Sequence, residues 1–95
     1  MPVLSAMPSG LDRLAPADVD REILRAGLIA ELDAINLYEQ MAARTANALL
    51  KKLLLDIARE EKTHVGEFLA LLRRLDQEQE GELAAGAAEV EEMSE

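Results

Sequence analysis

Glu61 and His64 stand three residues apart in the run Leu54-Leu55-Asp56-Ile57-Ala58-Arg59-Glu60-Glu61-Lys62-Thr63-His64-Val65. In a helix they are neighbours on one face. That face is otherwise apolar, through Leu50, Leu54, Ile57, Phe68 and Leu72. An ionised carboxylate placed on a packing face costs several kcal/mol in rough terms unless something compensates it. Glu31 sets the same problem in the first half of the chain. It occupies a position in the seam Leu24, Leu28, Glu31, Ile35, Tyr38, Ala42, which alternates steps of four and three. Carboxylates and imidazole are oxygen and nitrogen donors that suit iron or manganese, whereas copper(I) would want sulfur. A cation is the compensation these residues ask for.

Other chemistries are excluded by what is missing. With no Cys, thiol catalysis, zinc-thiolate sites and disulfides are ruled out. No Ser-His-Asp set or glycine-rich phosphate loop is visible. The net charge of −9 opposes a nucleic-acid partner and favours cations. No run approaches the roughly 18 apolar residues of a membrane span, and no basic and apolar leader opens the chain. The expectation is a soluble, cytoplasmic protein with neither nucleic acid nor membrane as partner.

The elements that must position these groups are helical. The 95 residues include one Tyr, one Phe and no Trp, so the core is Leu, Ile, Val and Ala in a single small domain. Residues 1–15, which hold Pro2, Pro8, Ser5, Ser9 and Gly10 with no steady period, read as a flexible N-terminal arm, with Leu11 and Leu14 docking on a neighbour. Pro16 opens a helix whose first turns carry Asp18, Asp20 and Glu22, and which runs to about 44. Thr45 and Asn47 offer turn and cap chemistry before a second helix from about 47 to about 74. Long helices joined by two or three residues form an antiparallel hairpin. Residues 16–75 are therefore the hairpin, and residues 76–95 an acidic helix or tail. That last segment carries eight acids and no Lys or Arg, and Asp76 can cap a weaker helix interrupted by Gly81 and Gly86.

One hairpin supplies only two carboxylates and one imidazole. Two hairpins face to face make a four-helix bundle with four Glu and two His at its centre. This is the di-iron carboxylate pattern, a Glu from each of two helices and Glu-x-x-His from each of the other two. Four carboxylates balance two ferrous ions in charge. The expected site lies at a dimer interface.

The blocks Ala30-Glu31-Leu32-Asp33-Ala34-Ile35-Asn36-Leu37-Tyr38-Glu39-Gln40-Met41 and Leu54 to Val65 together resemble the encapsulated ferritins, the ferritin-like cargo of encapsulin nanocompartments, over about residues 20–80. The resemblance implies an all-α fold: an antiparallel two-helix hairpin plus a short C-terminal helix, dimerising into a ferritin-like four-helix bundle. It further implies a ring-like decamer made of five such dimers. The implied activity is ferroxidase, oxidation of Fe(II) by dioxygen at a di-iron centre holding two ions per dimer. The ferric product would pass to an encapsulin shell that encloses the protein. The implied ligands are Glu31, Glu61 and His64. Tyr38 falls where the family keeps a tyrosine beside the centre, and Asp33 at an acidic position near the path by which metal enters.

This chain departs from that pattern at Ala30, where some relatives carry Glu, and at Leu37, where some carry Trp. Its last residues, Glu89-Val90-Glu91-Glu92-Met93-Ser94-Glu95, show no apolar-basic docking peptide. The expectation is either a shortened chain or a domain that the natural gene fuses to its shell. Glu60 and Glu67 flank His64 and become ligands if the helix is rotated; otherwise they support the site or face solvent. Met41 and Phe68 read as packing. Two other functions fit the same pattern: a ferritin-like cargo binding a flavin or another redox ligand, and a structural helical assembly module. Ultraviolet-visible absorption and metal content separate them.

Overall fold

The computed structural model describes Gly10 and residues 13–95. The expected arm falls mostly outside the described residues, as does Leu11. Three helices follow in order: α1 over Pro16–Arg44, α2 over Ala48–Leu75 and α3 over Gln77–Met93. The fold is all-α, with α1 and α2 packed as an antiparallel hairpin and α3 a shorter C-terminal helix. No helix among the described residues is long and apolar enough to cross a membrane.

Local chemistry explains the boundaries. Pro16 stands in the first helical turn, where its missing N–H costs nothing, and Asp18 places negative charge near the helix N-terminus. At the hairpin turn the Thr45 amide donates to the Met41 carbonyl. The Asn47 amide donates to Thr45 Oγ1 at 3.1 Å, and Asn47 Oδ1 accepts from the Leu50 amide at 2.9 Å. Asn47 thus caps α2 as its type and position suggest. Asp76 alone turns the chain from α2 into α3. Its extended backbone breaks the helix, its amide still donates to the Leu72 carbonyl, and its side chain accepts from the Gln79 amide.

The core is a single seam between α1 and α2. Leu24, Ala34, Ile35 and Ala42 are buried from one side, and Leu54, Ala58 and Leu72 from the other. Ala34 and Ala58 join the seam where small side chains let the backbones approach. Leu50 and Met41, expected to pack, remain 43% and 38% exposed near the turn end of the hairpin. The interruption expected at Gly81 and Gly86 does not occur; α3 runs unbroken across both. Isolated glycines each cost a helix about 1 kcal/mol, too little to end one that is well capped.

The molecule measures 47 × 44 × 17 Å, with a radius of gyration of 16.5 Å. A compact chain of this length would have about 12 Å. The thin dimension is one layer of helices, and α3 projects from the hairpin within that layer, touching α2 but not α1. An ion pair between Arg73 and Glu80 ties α3 back to α2. Arg25 and Asp76 lie 3.7 Å apart, and the Arg21 guanidinium donates to the Leu75 carbonyl, so α1 grips the elbow itself. Nearer the middle of the hairpin Lys62 pairs with Glu39 at 3.2 Å.

Candidate metal centre

The antiparallel register brings the middle of α1 against the middle of α2. Glu31, Glu61 and His64 meet there, each offering one donor atom, with these atoms all within 4.8 Å of one another. His64 Nδ1 lies 3.4 Å from Glu31 Oε2 and 3.4 Å from Glu61 Oε2. Among the described residues this is the one such cluster of acids and histidine.

Burial separates these acids from ordinary surface carboxylates. The Glu31 and Glu61 side chains are 20% and 18% exposed, and His64 is 47% exposed. Glu31 Oε2 is fully buried and receives no hydrogen bond. Its distance to His64 is long for a hydrogen bond, which ordinarily closes to about 3 Å. A buried acceptor left without a donor costs roughly 1–3 kcal/mol, more for a charged group. If both carboxylates are ionised, their mutual repulsion at this separation adds about 3–4 kcal/mol at an effective dielectric near 20. Among the described residues no Lys or Arg ion pair reaches either one. Two oxygens and a ring nitrogen therefore converge on one small region, where a long hydrogen bond of 3.4 Å joins His64 Nδ1 to Glu61 Oε2 and Glu31 Oε2 is left without a donor.

A cation fits that description. Donor atoms each about 2.1 Å from one ion stand roughly 3–4 Å apart, so modest side-chain rotation would bring this set onto a metal. The oxygen and nitrogen donors match the hard-to-borderline divalent ions of the first transition row.

The triad opens onto a groove of about 390 Å³ lined by Leu24, Glu31, His64, Glu67, Phe68 and Leu71. Glu67, one turn beyond His64, therefore borders the same space, while Glu60 is exposed. Tyr38 and Asp33 are half-buried further along α1. Phe68 was legible as packing, but its partner was not. That partner is Gly27, whose Cα meets the ring edge. A lone glycine inside an apolar-periodic helix, one turn before Glu31, was the available signal.

Fold and site together define a ferritin-like helical hairpin with a candidate metal-binding triad. Residues 7–86 match the EncFtn-like family, and the chain belongs to it. It is 53% identical over 94 residues to a ferritin-like–encapsulin shell fusion protein of Pyrococcus furiosus, covering 97% of this chain and 27% of that protein. It is 43% identical over 56 residues to the encapsulin nanocompartment cargo protein EncC of Myxococcus xanthus, covering 59% of this chain and 43% of that one. The chain thus spans less than half the length of either relative. Its structure is similar to the crystal structure of the encapsulated ferritin domain from Pyrococcus furiosus. There the TM-score is 0.80 at 55% identity, over 94% of this chain and 93% of that one.

Proposed function

We propose that this domain is a ferroxidase, with Fe(II) as its substrate and Glu31, Glu61 and His64 as the ligands that receive it. The observation that carries the reading is the buried Glu31 Oε2, which has no hydrogen-bond donor and faces His64 beside Glu61. An acid held this way is stabilised by a cation and by little else in reach.

The site is completed by a second copy. One chain offers three protein donors and leaves His64 half-exposed on an open groove beside Leu71, itself 47% exposed. A second hairpin laid across that groove would bury both and double the donor set to four carboxylates and two imidazoles. Four negative charges then balance two ferrous ions. The thinness of the single chain supports the same arrangement. Five such dimers would close into a ring-like decamer, the assembly that the family resemblance implies.

In this reading Glu31, Glu61 and His64 from each copy would together hold two ferrous ions. Carboxylate oxygens stabilise the ferric over the ferrous state by charge, which favours electron loss. Two electrons pass from the ferrous pair to dioxygen, which takes up two protons and leaves as hydrogen peroxide, and water then hydrolyses the ferric product with release of protons. The protein supplies binding, proximity and charge rather than a nucleophile. Residues 16–75 form the working unit, and residues 76–95 an accessory helix. Of the relatives, one is a fusion with an encapsulin shell and the other a nanocompartment cargo. They support placing this domain inside an encapsulin compartment that collects its product.

The test is oxygen consumption on adding ferrous salt. Glu31→Ala, Glu61→Ala and His64→Ala should each abolish the rapid phase. Unchanged uptake in all three would reject the assignment.

A further inference from the structure

We propose that Phe68, seated on Gly27, is a positioning residue that sets the gap between α1 and α2 at the Glu31–Glu61–His64 triad; the inference rests on the metal-binding reading above. Gly27 lies in the interior of α1, where glycine is unfavourable relative to alanine because of the backbone freedom it loses. The described glycines differ in whether anything justifies them. At Gly66, Gly81 and Gly86 an added Cβ would meet nothing within 4 Å. At Gly27 it would fall 2.7, 2.9 and 3.0 Å from Cε1, Cζ and Cδ1 of Phe68. The ring edge therefore rests on the α1 backbone itself, an approach that only glycine permits.

The location gives this contact its consequence. Gly27 is four residues before Glu31 and Phe68 four residues after His64, so each lies one helical turn from a donor on the same side of its own helix. The ring borders the same groove as Glu31 and His64. A methyl group at position 27 has two outcomes. Either the hairpin spreads next to the triad, or the ring swings into the groove beside the donors. Both move Glu31 relative to His64, and donor geometry tolerates only about 0.5 Å of displacement.

The experiment uses Co²⁺ alone, titrated into the whole chain and followed by visible absorption and calorimetry. Gly27→Ala should bind Co²⁺ about tenfold more weakly than wild type, as loss of support around a metal site does, and with a changed absorption band. Circular dichroism should show its helix content intact. Adding Phe68→Leu to Gly27→Ala frees the space and should return affinity to within about threefold of wild type. If Gly27→Ala does not fold, Phe68→Ala with Gly27 retained replaces it, again with about tenfold weaker binding expected. Wild-type affinity and spectrum in the folded Gly27→Ala or Phe68→Ala variant would overturn the positioning role while leaving the metal site standing. Wild-type protein that takes up no Co²⁺ would overturn the metal site and the positioning role with it.

Discussion

The two acid-rich regions of this molecule treat carboxylates in opposite ways. In α3 the glutamates all face solvent, no residue is buried, and Glu80 is paired with Arg73 across the elbow. At the centre of the hairpin Glu31 and Glu61 are about four-fifths covered and have a half-exposed imidazole as their near neighbour. The first region holds most of the formal charge, yet the second holds the charge that costs energy. On the proposed reading, position on a packing seam rather than abundance marks the carboxylates that receive metal. The same distinction explains why α3 forms despite its acidity: its charges are hydrated, and Asp76 caps it.

The largest effect expected from this contrast is on ferrous oxidation. Alanine at Glu31, Glu61 or His64 should lower the initial rate by at least about a hundredfold, whereas Glu82→Ala and Glu89→Ala in α3 should stay within about twofold. Loss of rate from the α3 variants would erase the distinction between the two regions.

Metal-linked stability comes next. Ferrous or cobalt ion at about 100 times its dissociation constant should stabilise the protein by about 2.7 kcal/mol and shift native mass spectra toward dimer or larger rings. A chelator should reverse both. Oligomer populations indifferent to metal would break the link between the buried acids and assembly.

Without metal the sign inverts. Glu31→Leu removes a buried charge that has no donor and should raise the melting temperature of the metal-free protein, by the equivalent of about 1–2 kcal/mol. Glu82→Gln should stay within about 0.5 kcal/mol. A metal-free Glu31→Leu protein less stable than wild type would show that the carboxylate is compensated from within the fold.

The smallest effect concerns pH at the elbow. Its hydrogen bond to Arg73 holds the Glu80 carboxyl below its ordinary 4.5, so its contribution is present above that value in the folded state. It should fade as pH drops below 4.5 through the lowered value, because the folded state then gains the proton later than the unfolded one. Protection of the α3 amides, measured relative to their intrinsic exchange rate at each pH, should therefore fall in acid and, because the pair is exposed, also in salt. Glu80→Gln should remove this dependence.

Much of this architecture was readable from residue spacing. The α1 seam named Leu24, Ile35 and Ala42, which are buried, and put Glu31 among them. Asn47 and Asp76 announced their caps by type and place. Ala34 and Ala58 were missed because alanine fits both a seam and a surface. Leu50 was misjudged for a related reason: periodicity says which side of a helix is apolar, not how far its partner extends. Gly27 escaped notice because its meaning depends on a ring more than ten turns away in sequence.

By itself, the order of residues determined three helices, their caps, and the placing of Glu31, Glu61 and His64 on apolar faces. These are consequences of a 3.6-residue repeat and of hydrogen bonds that close within one turn. Only the tertiary structure decided that α1 and α2 slide into the register where those donors come within 3.4 Å of His64 Nδ1, that Phe68 seats on Gly27, and that α3 swings away at Asp76. Register is the summed result of every side chain along the seam, so no local stretch of sequence contains it.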